Sequence, residues 1–149
     1  MTPAYLVFVS LIAFAEIPAV SPVVKSPGDT VTLEIAANSQ PNRAPITLHF
    51  DVVFPTQLME PEDKGEVGSA ARNSGKSLAC RILNPHSYGC VISGGEKPIA
   101  DGQVAIFHFK VLAAAKPAKT ALRIERAVST TADSKILSLK DTEAAVVIK

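Results

Sequence analysis

The 149-residue chain carries 15 Lys and Arg against 14 Asp and Glu, a net charge of +1. That balance excludes the basic stripe of a nucleic-acid binder, and 47% hydrophobic against 19% charged residues excludes a disordered chain. One domain is expected, large enough to bury a core without metals or several disulfides. Aromatic residues make up only 5% and Trp is absent, so recognition by aromatic stacking has little to build on.

The first element reads as a targeting segment. Ala4 to Ala15, AYLVFVSLIAFA, is uncharged. A run of about a dozen residues is too short to span a bilayer, which takes roughly 20, but it has the length of a secretory h-region. Ala13-Phe14-Ala15 fits the small-x-small cleavage pattern, with Glu16 as the first mature residue. Residues 1–15 are therefore expected to be a signal peptide and 16–149 the folded, secreted domain. No Lys or Arg precedes the run, and the alternative is a hydrophobic first strand. No later apolar run reaches spanning length, so no membrane span is expected in the mature chain.

Strands and turns then alternate. Val23-Val24 suggests a short edge strand. Thr30 to Ala36 alternates after the turn Ser26-Pro27-Gly28-Asp29. Ile46 to Phe54 puts Ile46, Leu48, Phe50, Val52 and Phe54 on one face and Thr47, His49, Asp51 and Val53 on the other, until Pro55 ends the strand. Gln57 to Ser77 is the least regular stretch, with Pro61, Gly65, Gly68 and Gly75 and the acids Glu60, Glu62, Asp63 and Glu66. Clustered carboxylates suit calcium, but the spacing matches no EF-hand and Lys64 sits among them. A solvated loop without metal is expected.

Cys80 and Cys90 lie in two alternating segments joined by Asn84-Pro85-His86-Ser87. Folded with Cys80 facing Cys90, the hairpin also opposes Ile82 to Tyr88 and Leu78 to Ile92, so the inward pairs are apolar and a cross-strand disulfide is plausible. Val104 to Val111 puts Ala105, Phe107, Phe109 and Val111 inward, with Ile106 and His108 outward. Leu112 to Lys119 reads as a loop, and Thr120 to Val128 and Ala144 to Ile148 as the last strands. No segment shows a 3.6-residue apolar period. The pattern predicts an all-β fold, a two-sheet antiparallel β-sandwich.

Catalytic constellations are missing. No G-x-S-x-G occurs, and Gly94-Gly95-Glu96 is a lone glycine pair. His49, His86 and His108 fall on separate elements, and the dense acids share one loop rather than facing each other across a cleft. A non-enzyme without cofactor is expected.

Four pieces of the mature chain, in order, resemble the cohesin domain: Pro27-Gly28-Asp29-Thr30-Val31-Thr32-Leu33, Leu48 to Leu58, Ala100 to Val111, and Leu122 to Ile148. The resemblance implies a jelly-roll-like sandwich of about nine strands outside the cell. It also implies non-catalytic binding of a dockerin-like protein module, in an assembly that degrades polysaccharide. One sheet, from the strands at Ile46–Phe54, Ser77–Leu83, Tyr88–Ser93 and Thr120–Val128, would present the partner face. Its outward residues would be Thr47, His49, Asp51, Arg81, Val91, Arg123 and Glu125. The alternatives are a carbohydrate-binding module, taking polysaccharide itself, and a structural or adhesive surface domain.

Overall fold

Alternating apolar residues commit most of the chain to strands. In the computed structural model, residues 6–12 (backbone only), 23–39 and 43–149 are described. In chain order they form β1 (Leu6–Ile12), β2 (Val23–Lys25), β3 (Thr30–Asn38), β4 (Pro45–Val53), β5 (Met59–Pro61), β6 (Glu66–Val67) and α1 (Ser69–Asn73). There follow β7 (Ser77–Asn84), β8 (Ser87–Ser93), β9 (Gly102–Val111), β10 (Ala118–Thr131), β11 (Ile136–Ser138) and β12 (Thr142–Ile148).

Two sheets result. One runs β1-β3-β9-β5, with β6 also on β9; the other runs β2-β12-β10-β4-β8-β7, with β11 on β10. Their inner faces meet in one apolar cluster. Leu33, Ile35, Phe107 and Phe109 from the first sheet and Leu48, Phe50, Ile92, Leu122, Ile124 and Ile148 from the second are each at most 1% exposed. Phe50 meets Phe107 edge-on across the sheets at 6.3 Å, and Phe54 packs between Tyr88 and Phe109 at 5.4 and 5.3 Å. Each such side chain contributes about 1.5–3 kcal/mol by leaving water. The two sheets thus stabilise each other, which is the all-β sandwich that alternation predicts.

Several details depart from the sequence reading. There are twelve strands among the described residues rather than about nine, because β5, β6 and β11 are ladders of two or three residues. Two pairs are parallel, β1 with β3 and β2 with β12, so the sandwich is not purely antiparallel. Leu6–Ile12, inside the segment read as a leader, lies along β3 from Leu6↔Thr32 to Ile12↔Asn38, a pairing that leaves cleavage of that segment untested. The irregular stretch holds the short helix α1, whose one buried residue is Ala71. A single turn with one apolar contact leaves no 3.6-residue period to read.

The hairpin register is as expected, with Cys80↔Cys90, Ile82↔Tyr88 and Leu78↔Ile92, and the cysteines form a disulfide. Pro85-His86 makes the turn, where the His86 N–H donates to Asn84 Oδ1 at 3.0 Å. Ile82 corrects the reading: it stands opposite buried Tyr88 yet is 71% exposed. β7 is the edge of its sheet. Its inward side borders an open cleft of ≈ 490 Å³ lined also by Pro61, Glu62, Asp63 and Lys64, so parity there does not mean burial.

Candidate functional site: an outward sheet face

The strands expected to carry the partner face are contiguous, in the order β10-β4-β8-β7. On β4, Leu48, Phe50 and Val52 are buried, which sends Thr47, His49 and Asp51 to the opposite, outward face. The ladders line up the other residues in rows. Arg81, Gly89, Asp51 and Glu125 form one row across the four strands; Ala79, Val91, His49 and Val128 form the next. Arg123 sits beside Val53 on β4 and Glu143 on β12.

The row is not flat. Gly89 has no side chain, and Leu83 closes over it: a Cβ added at Gly89 would meet the Leu83 methyls at 3.1 Å. Beside Leu83 the face carries a groove of ≈ 680 Å³. Gly89 and Val91 lie in its floor, with Arg81 and Leu83 on the β7 side and His49, Asp51 and Arg126 on the other. The groove thus gathers four of the seven expected residues: His49, Asp51, Arg81 and Val91. Arg123 lines a separate depression of ≈ 660 Å³ with His86, Lys119 and Glu143. Thr47 and Glu125 line neither.

Arg126 is the residue that sequence reasoning missed. Between Glu125↔Asp51 and Val128↔His49, β10 spends one residue more than β4. Such a bulge leaves one residue unpaired and re-aims its side chain. Arg126 takes a left-handed backbone, φ 51°, and turns outward, with its side chain 76% exposed. Its Nε donates to Asp51 Oδ2 at 2.6 Å, and its Nη2 contacts the same oxygen. The Asp141 carboxylate accepts the Arg126 backbone N–H at 3.2 Å. A signal for this was present. Leu122 and Ile124 set an inward parity that would bury Arg126, and a charge at an inward position marks a bulge.

Two of the face's cations are answered: Arg126 by Asp51, and Arg123 by Glu125 at 3.2 Å. The Arg81 side chain is exposed and makes no ion pair or hydrogen bond among the described residues.

No protein-family model matches the sequence, and no curated protein sequence matches it. Solved structures do match. The sixth cohesin of scaffoldin B from Acetivibrio cellulolyticus, in complex with a dockerin mutant, is 18% identical at TM-score 0.73, over 86% of this chain and 94% of that one. This is the cohesin fold. A type I cohesin of Clostridium thermocellum, in a cohesin–dockerin complex, shares it at 16% identity and TM-score 0.73, over 86% of this chain and 94% of that one. A non-cellulosomal cohesin from the archaeon Archaeoglobus fulgidus shares the cohesin fold at 16% identity and TM-score 0.63, over 86% and 87%. Likeness at such identities carries the fold alone. No helix among the described residues is long and apolar enough to cross a membrane.

Proposed function

We propose that this chain is a secreted, non-catalytic recognition module that binds a dockerin-like protein module through the β10-β4-β8-β7 face. The observation that carries this is the groove over Gly89 and Val91, walled by Leu83 and by the uncommitted Arg81. An apolar floor beside an unanswered cation suits a partner that inserts a small apolar side chain and offers a carboxylate. The charge sets register and on-rate more than total affinity. Two cohesin-fold neighbours are recorded with dockerins, which supports the same class of partner. Among the described residues the aromatic side chains Phe50, Phe54, Phe107, Phe109 and Tyr88 are all buried, which favours a protein partner over a stacked sugar.

Residues 1–15 act as the signal peptide in this reading, and the Cys80–Cys90 disulfide supports an oxidising compartment. The assembly served is one that handles polysaccharide. Intact mass of the exported protein tests the leader; a mass beginning at Glu16 is expected. The partner is tested by affinity capture from the secreted proteins of the source cells, with calcium and then with chelator. Capture of a protein with duplicated calcium loops, lost on chelation and lost in Arg81→Glu and Val91→Asp, is expected. Capture that survives both substitutions moves recognition off this face. No protein capture together with a positive glycan array replaces this reading by the carbohydrate-binding alternative.

A further inference from the structure

On the other sheet, and independent of the recognition face, three side chains of different origin converge. β9 presents His108 on its outward side, between the buried Phe107 and Phe109. Opposite it, the edge of the sheet is interrupted. β5 pairs with β9 as far as Pro61↔Phe109, β6 resumes at Glu66↔Ile106, and residues 62–65 loop out between them. Both ends of that loop are tied to β9, and the Glu62 N–H donates to the His108 carbonyl at 2.8 Å. Asp63 and Glu66 are thereby carried back over His108. One ligand atom from each of Asp63, Glu66 and His108 lies within 4.8 Å of the other two.

The three are held to different degrees. Asp63 Oδ2 lies 2.9 Å from His108 Nδ1. Its other oxygen, Oδ1, accepts the Gly65 N–H at 2.9 Å, which fixes the carboxylate plane. Gly65 lies so close to the Phe107 ring that an added Cβ would run into it. The Glu66 side chain is exposed and makes no ion pair or hydrogen bond among the described residues, so its carboxylate is uncommitted. The neighbouring charges are spoken for or turned to solvent. Glu62 accepts from Thr30 Oγ1 at 2.7 Å, Glu60 stands beside Lys110 across the ladder, and Lys64 is exposed.

We propose that Asp63, Glu66 and His108 bind one divalent transition-metal ion of the zinc class. The imidazole decides the class. Calcium takes six to eight oxygens and magnesium a near-ideal oxygen octahedron, whereas one nitrogen with two carboxylates suits zinc and its first-row neighbours. Ligand atoms about 2.1 Å from a tetrahedral ion stand about 3.4 Å apart. The hydrogen-bonded Asp63–His108 pair, at 2.9 Å, therefore has to give up its shared proton and part slightly around the ion, while the exposed Glu66 carboxylate closes in. The hydrogen bond from Gly65 to Asp63 is the outer-shell support such sites use. Three protein ligands leave a position for water.

The test is titration of tag-free, chelator-treated protein with Zn2+ by calorimetry, and with Co2+ by visible absorption. One equivalent bound at micromolar free zinc is expected, unaffected by millimolar calcium. His108→Ala and Glu66→Gln are each expected to weaken binding by about tenfold or more, with His49→Ala as an unchanged control. In the unmodified protein, zinc is expected to shift the imidazole NMR signals of His108 and leave those of His49 and His86 in place. That readout needs no variant to fold. Absence of binding at these concentrations overturns the site. So does one-equivalent binding that persists in both variants or leaves the His108 signals unmoved.

Discussion

Arg126 reaches from the bulge of β10 to Asp51 on β4, closing an ion pair in which the acid is 15% exposed and the base 76%. The pair exists because the bulge turns Arg126 outward at φ 51°. A left-handed backbone costs a side-chain-bearing residue roughly 1–2 kcal/mol. Arg126→Ala keeps that cost and loses the ion pair, while Arg126→Gly loses the pair and relieves the backbone. Arg126→Gly is therefore expected to be more stable than Arg126→Ala by about 1 kcal/mol in denaturant unfolding. Equal midpoints would remove the strain argument.

The ion pair itself is measured by a double-mutant cycle of Asp51→Ala and Arg126→Ala. With one partner largely in water, a coupling of about 0.5–1 kcal/mol is expected. Raising the salt should shrink it. A coupling of zero would mean that the contact only follows the bulge and does not hold it.

Reduction of Cys80–Cys90 is expected to lower the melting temperature. The residues are 10 apart in sequence, and a loop of that size is worth about 2–3 kcal/mol in the chain-entropy model. β7 is an edge strand, with Ser77, Ala79, Arg81, Ile82, Leu83 and Asn84 all exposed. Amide exchange should therefore rise first along β7, not in the core strands β4 and β9. An unchanged midpoint on reduction would show that the bridge constrains nothing the hairpin does not already hold.

Gly65→Ala should be among the most damaging single-methyl additions. Its φ is 92°, which disfavours any side chain, and the new Cβ would meet the Phe107 ring in the core. Overpacking and backbone strain together are expected to cost about 2–4 kcal/mol. Gly75→Ala, also at positive φ (77°) but with nothing within 4 Å, isolates the backbone part and should cost less. Equal losses would assign no role to the Phe107 contact.

Tyr88 gives a pH dependence. Burial, and then the Asp63 carboxylate, hold its phenol above the ordinary value of 10.0. The folded state thus keeps its proton where the unfolded state has begun to release it. The sign follows: stability falls as pH rises above 10.0, through the raised folded value. Tyr88→Phe should flatten that alkaline loss, and Asp63→Asn should bring the phenolate absorbance of Tyr88 to lower pH. If Asp63→Asn leaves the titration in place, burial alone sets the shift.

Legibility in the sequence followed locality. The strands on Pro45–Val53 and Gly102–Val111 were readable because a half-buried strand alternates with period two and its neighbours in sequence report its face. Thr30–Asn38 was readable from the alternation of its residue types, although Val31 to Ala37 are buried on both faces. The hairpin register was readable because two cysteines and two flanking apolar pairs agree on one alignment. The seven outward residues were readable as positions on a common sheet, through the cohesin resemblance. The groove was not, because it depends on what Gly89 lacks and Leu83 covers.

By itself, then, the sequence determined the all-β class, the two-sheet core and the pairing of Cys80 with Cys90, since each rests on short-range periodicity. Only the tertiary structure decided that β10 bulges at Arg126, that Ile82 faces an open cleft rather than the core, and that Asp63 and Glu66 return to His108. Each of these depends on which strand lies alongside and where the opposite sheet ends. Residues 45 positions apart, as Asp63 and His108 are, meet through that arrangement and through no pattern in their own neighbourhoods.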